Sequence, residues 1–160
     1  MRALSICLAF GILSFSAISQ GGVFEDKTNR FNGVRSVGWN TIPNEAESFA
    51  VTTDAYYSKG STKPDGYFVQ IITFADAMQY SGCSHVDWLV DGEPAPYLVA
   101  KYSSDYTGSA AIERFNLELD RASLEKLGAA KLVEFKICTT ESSISADDME
   151  GLRKVLAQTK

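Results

Sequence analysis

Residues 131–139, Lys-Leu-Val-Glu-Phe-Lys-Ile-Cys-Thr, constrain the fold more than any other stretch. Val133, Phe135 and Ile137 alternate with Glu134, Lys136 and Cys138. A period of two places the apolar set on one side of an extended strand and the polar set on the other. Such a strand is stable only within a sheet that has a buried face. The stretch also carries Cys138, which can tie it to a distant part of the chain.

The chain begins with a segment of different character. Met1-Arg2 is a short positive start, residues 3–17 are apolar and uncharged, and Ala17-Ile-Ser19 fits the small-x-small rule for cleavage. Residues 1–19 therefore read as a secretory signal peptide. The apolar run falls short of the ~20 residues a spanning helix needs, so no integral membrane segment is expected after its removal. Export to the periplasm or the cell exterior is the corresponding expectation. Cys7 leaves with the signal, and Cys83 and Cys138 remain. An even pair in an exported chain is expected to be a disulfide. It closes a loop of about 56 residues, which the chain-entropy model values at roughly 4 kcal/mol. A zinc site would need four close ligands, and the chain has one histidine and no Cys-x-x-Cys. No metal and no cofactor is expected, and the same spacing gives no sign of a redox pair.

The remaining residues, about 141 of them, suit one domain. A hydrophobic fraction of 45% supports a packed core. Without Arg2 there are 14 basic against 20 acidic side chains. No basic block is present, so nucleic acid and anionic membrane surfaces are poor partners.

Residues 20–33 are polar and rich in Gly and Asn, and read as a flexible leading segment before a single domain at 34–160. Alternation predicts strands over 34–42, 48–57, 67–74, 84–90, 97–102 and 111–119. In 67–74 both parities are apolar, as expected of a central strand covered on both faces. Lys63-Pro-Asp-Gly66 is a turn signal. Asp91-Gly92 is the favoured pair for a type I′ hairpin, but Pro94 and Pro96 confine the next residues to an edge or a loop. Residues 103–109 read as a polar loop. Asp120 is a predicted N-cap for a short helix over 121–130, with Leu124 and Leu127 as its apolar stripe. Ser145 caps a closing helix, with Ile144 and Met149 as a hydrophobic staple and Met149, Leu152, Val155 and Leu156 on one face. Arg153, Lys154 and Lys160 suit the dipole at its far end. Strands first and helices late predict an α+β domain: a mainly antiparallel sheet or sandwich with both helices packed at one side.

His85 is the single histidine and shares a strand parity with Asp87. A hydrolase could use that pair with a serine. No Gly-x-Ser-x-Gly or other nucleophile turn accompanies it. Asp147, Asp148 and Glu150 are accounted for by the start of the closing helix. Neither a phosphate loop nor a calcium-loop spacing is present. Trp88, Asp91, Tyr97, Tyr102 and Tyr106 cluster in the Pro-broken, loop-rich middle of the chain, and amphipathic aromatics there are the usual material of a binding surface. The expected function is thus a non-enzymatic binding or interaction protein. The alternatives are an inhibitor or immunity-type protein against an exported enzyme, and a hydrolase using His85 and Asp87. Cys138 falls on the polar parity of its strand, and Cys83 on that of His85 and Asp87. The bridge is therefore expected on the polar side of the sheet or at its end.

Overall fold

The computed structural model describes residues 21–46 and 48–159; the expected signal peptide at 1–19, with Gln20, Glu47 and Lys160, lies outside the described residues. The fold is α+β and sandwich-like. Strands β1 (Val23–Thr28), β2 (Arg35–Asn40), β3 (Ala50–Tyr57), β4 (Gly66–Ala75), β7 (Lys101–Thr107) and β8 (Ala110–Leu119) form an antiparallel sheet in the order β1-β2-β3-β4-β8-β7. Strands β5 (Val86–Val90), β6 (Glu93–Pro94), β9 (Val133–Ile137) and β10 (Thr140–Ser143) form a second one in the order β10-β9-β5-β6. Helix α1 (Arg121–Ala129) joins β8 to β9, and α2 (Ala146–Gln158) closes the chain.

One core joins these parts. Val37, Val69, Ile71, Phe115 and Leu117 come from the large sheet, and Trp88, Phe135 and Ile137 from the small one. The helices add Leu124 and Leu127, then Met149, Leu152 and Val155. Helix α2 lies on β2 and β3, and α1 lies beside α2. Both predicted N-caps form: Asp120 accepts from Ser123 N–H and Ser145 from Asp148 N–H. Gly151 lets α2 approach the sheet closely, since a Cβ there would overlap the Trp39 ring. Each helix also ends on an arginine from the other. Arg153 donates to the carbonyls of Gly128 and Ala130 at the end of α1 (2.8 and 3.0 Å). Arg121 donates to Thr159 C=O at 2.6 Å at the end of α2, and to the Tyr67 hydroxyl at 2.9 Å.

Three edge regions differ from the sequence expectation. The stretch read as a flexible leading segment contains β1, paired with β2 from Val23↔Asn40 to Thr28↔Arg35. Its positions are half-buried or exposed, so backbone pairing and the two-pronged Arg35–Asp26 contact (2.8 and 2.7 Å) hold it in place of apolar burial. Residues 103–109, expected as a polar loop, lie mostly in β7, which pairs along β8 from Lys101↔Asn116 to Thr107↔Ala110. Of the strand expected over 97–102, only Lys101 and Tyr102 belong to it. Strand β10 comes after β9 through the two-residue turn Cys138-Thr139 and is a polar edge with no alternating apolar signal. An edge strand satisfies half of its backbone groups and need bury little side chain, so its sequence carries no clear period.

Candidate functional site at the end of the small sheet

The site is assembled by three separate parts of the chain. Glu113, on the inner face of β8 and 1% exposed, accepts the backbone N–H groups of Gln79 and Tyr80, each at 2.8 Å. That contact anchors the loop before Cys83, whose own N–H donates to Tyr80 C=O at 3.1 Å. Strand β9 delivers Cys138 from the opposite direction. Ile137 pairs with both Val86 and Thr140, and Cys138 then occupies the first turn position with φ 58°. Cys83 and Cys138 form the disulfide, with Cα atoms 6.0 Å apart. The bridge sits at the end of the small sheet. Cys138 lies beyond the last strand residue, so turn geometry, not strand parity, sets its direction.

His85 stands directly beside the bridge. Its Nδ1 is 3.4 Å from Cys83 Sγ, and its Nε2 is 3.9 Å from Asp87 Oδ2. Both side chains are open to water, at 61% and 75% exposure. Lys136, the register partner of Asp87, is taken by Glu141 at 3.0 Å. The ligand-type atoms of Cys83, His85 and Cys138 lie within 4.8 Å of one another, but with the two sulfurs bonded together they form no metal-ligand set. The two ring nitrogens face the Cys83 sulfur and the Asp87 carboxylate.

A groove of about 530 Å³ begins at His85 and Asp87 and runs along β5. Pro94, Pro96, Leu98 and Val99 form its other wall. It exists because β6 pairs only with Leu89 and Val90 before Pro96 turns the chain away. Ala95 N–H still reaches Trp88 C=O at 3.0 Å, while Val86 has no strand on that side among the described residues.

The five expected surface residues are not one patch. Trp88 is 4% exposed and packs against Phe135 at 5.6 Å between ring centres; its Nε1–H is buried with no hydrogen-bond partner. Asp91 is a structural clamp. It takes φ 52° in the β5–β6 turn, and its Oδ1 accepts from the N–H groups of Lys131 and Leu132 at 2.8 and 2.9 Å. Tyr102 is half-buried, packs at a tilt against Phe115 and donates to Glu113 Oε1 at 2.7 Å. Burial raises its hydroxyl pKa first, and the nearby Glu113 and Tyr106 add to the rise while a hydrogen bond with Ser104 opposes it. Tyr97 and Tyr106 are exposed, the first beneath the Lys126 ammonium and the second at the far end of β7. Of the five, only Trp88 lines the groove.

One perturbed group carries no signal in the sequence. Asp54 lies on the outer face of β3 opposite Gly38, and its pKa is pushed up to about 6 by burial and then by the charge of Glu25. The missing side chain at Gly38 makes room for that carboxylate, a relation that only strand register reveals.

Among the described residues, no helix is long and apolar enough to cross a membrane. No protein-family model, curated protein or solved structure matches the chain.

Proposed function

We propose that this is an exported, non-enzymatic interaction protein that receives an extended segment of a partner protein in the groove beside β5. The observation that carries the reading is the groove itself: an apolar trough of about 530 Å³ along a strand whose neighbour stops after two residues. Its rim leaves Val99 69% exposed and Leu89 38% exposed, apolar area that water does not favour. Asp87 lines the same groove and Glu93 is exposed on β6, so the favoured occupant is basic as well as apolar. An inhibitor of an exported basic enzyme would use the same surface.

The mature chain should be titrated against a panel of synthetic ten-residue peptides that alternate Lys or Arg with apolar residues, monitored by fluorescence anisotropy. Binding that weakens with salt, and weakens about tenfold in Val99→Asp, supports the assignment. Absence of binding across the panel, or affinity unchanged by the substitution, removes it.

A further inference from the structure

Three features besides the groove wall concentrate chemistry: the exposed outer face of the large sheet, the raised Asp54 carboxyl on it, and the row Asp87–His85–Cys83–Cys138. The row alone brings reactive groups into contact. We propose that the Cys83–Cys138 bridge is an exchangeable disulfide, with His85 stabilising Cys83 as the leaving thiolate and Asp87 orienting His85. The reductant is the dithiol of a partner protein.

The geometry supplies each part. His85 Nδ1 lies 3.4 Å from Cys83 Sγ, within reach of a thiolate–imidazolium pair. Asp87 Oδ2 lies 3.9 Å from the other ring nitrogen and places a carboxylate on the side of the ring away from the sulfur. Both cysteines are half-buried, Cys138 against the core, while Gly82, His85 and Thr139 beside them are exposed and give the side from which a partner thiol approaches. Cys138 is held at φ 58°, a left-handed conformation that disfavours a side chain, by the β9–β10 turn that brings its sulfur to Cys83. The sequence lacks a Cys-x-x-Cys. The fold supplies instead the histidine neighbour that lowers a thiol's proton affinity.

Atoms and electrons balance through two displacements. A partner thiolate attacks Cys138 Sγ; a partner–Cys138 S–S bond forms and the Cys83–Cys138 bond breaks. Cys83 leaves with the electron pair and takes a proton from protonated His85. The partner's second thiol, having lost its proton to water, attacks the partner sulfur of the mixed disulfide. The partner's own disulfide forms, and Cys138 leaves and is protonated by water. His85 recovers its proton from water, which also took the proton of the first partner thiol, so in sum two electrons and two protons pass from the partner dithiol to this chain. A lower proton affinity at the leaving sulfur speeds the first displacement.

The proposal stands independently of the groove and is tested without it. Dithiothreitol serves as the dithiol, acting on the oxidised mature chain at about pH 6 and about pH 8, with thiols counted over time. His85→Ala is expected to slow reduction about tenfold at the lower pH and less at the higher, with Asp87→Asn between it and the unsubstituted chain. Equal rates for His85→Ala and the unsubstituted chain at both values overturn it, because a merely structural bridge ignores the imidazole. A second measurement uses the single-thiol variants Cys138→Ala and Cys83→Ala with iodoacetamide. At about pH 6, Cys83 should react about tenfold faster than Cys138 and lose that advantage in His85→Ala. Equal reactivity also overturns the proposal. Should the single-thiol variants fail to fold, the oxidised-chain rates decide alone.

Discussion

Trp39 donates its indole N–H to Asp148 Oδ1 at 2.9 Å across 109 residues of sequence. The other carboxylate oxygen accepts the N–H of Val51 at 3.2 Å. Asp148 is 6% exposed, so one side chain in the first turn of α2 satisfies donors from two strands of the large sheet. Its role at the helix start, where its own N–H meets Ser145, is only part of what it does.

Asp148→Ala leaves two buried donors without an acceptor. Each orphaned group costs about 1–3 kcal/mol, so the variant should lose about 2–4 kcal/mol in urea unfolding. A loss under about 0.5 kcal/mol, the usual scale of a surface change, would contradict the described hydrogen bonds.

Glu113→Ala should act locally as well as globally. It removes the acceptor for Gln79 N–H, Tyr80 N–H and the Tyr102 hydroxyl. The expected cost is about 3 kcal/mol. Amide exchange at Gln79 and Tyr80 should quicken more than exchange in the centre of β4. Uniform acceleration throughout the chain would show that Glu113 does not anchor this loop.

Asp54 makes stability depend on pH. Its folded pKa of about 6 lies above the ordinary 3.8, because burial, and secondarily Glu25, penalise the charged form. Between these values the unfolded chain has released the proton and the folded chain retains it. Stability therefore falls as pH rises from about 4 to about 6, and the penalty is fully present above that window. Allowing for solvent screening at this half-buried site, the effect is about 1–2 kcal/mol. Asp54→Asn should be more stable than the natural chain by that amount at about pH 7.5 and equal to it at about pH 3. Thermal unfolding at the two values checks this, and an equal gain at both would exclude the titration as its source.

Strands with one buried face were readable from the chain. Val133, Phe135 and Ile137 in β9 alternate as read; β4 is central, between β3 and β8, but the coverage expected on both faces does not hold, since only the Val69 and Ile71 side is fully buried while Ile72 and Phe74 are half-buried and Phe68 is exposed on the outer face. Strands β1, β7 and β10 were not readable as such, since pairing at an edge imposes no apolar period on Val23–Thr28, Lys101–Thr107 or Thr140–Ser143. The aromatic cluster misled for a related reason. Proximity in sequence joined Tyr102 to Tyr97 and Tyr106, but a carboxylate 11 residues away draws the Tyr102 hydroxyl to itself. At the bridge, parity correctly grouped His85 with Asp87. The arrival of Cys138 beside the same ring depends on the β5–β9 pairing and the β9–β10 turn, which involve residues about 50 positions distant.

The crossed arginine contacts between α1 and α2 bear on how the chain breathes. A helix of nine residues has too few turns to persist alone in water. Here Arg121 completes the last turn of α2, and Arg153 completes that of α1. Neither helix can fray at its end without releasing a guanidinium that belongs to the other. The pair should consequently open as one cooperative foldon, its amides sharing a single protection free energy, although 16 residues comprising β9, β10 and their connections separate the two helices.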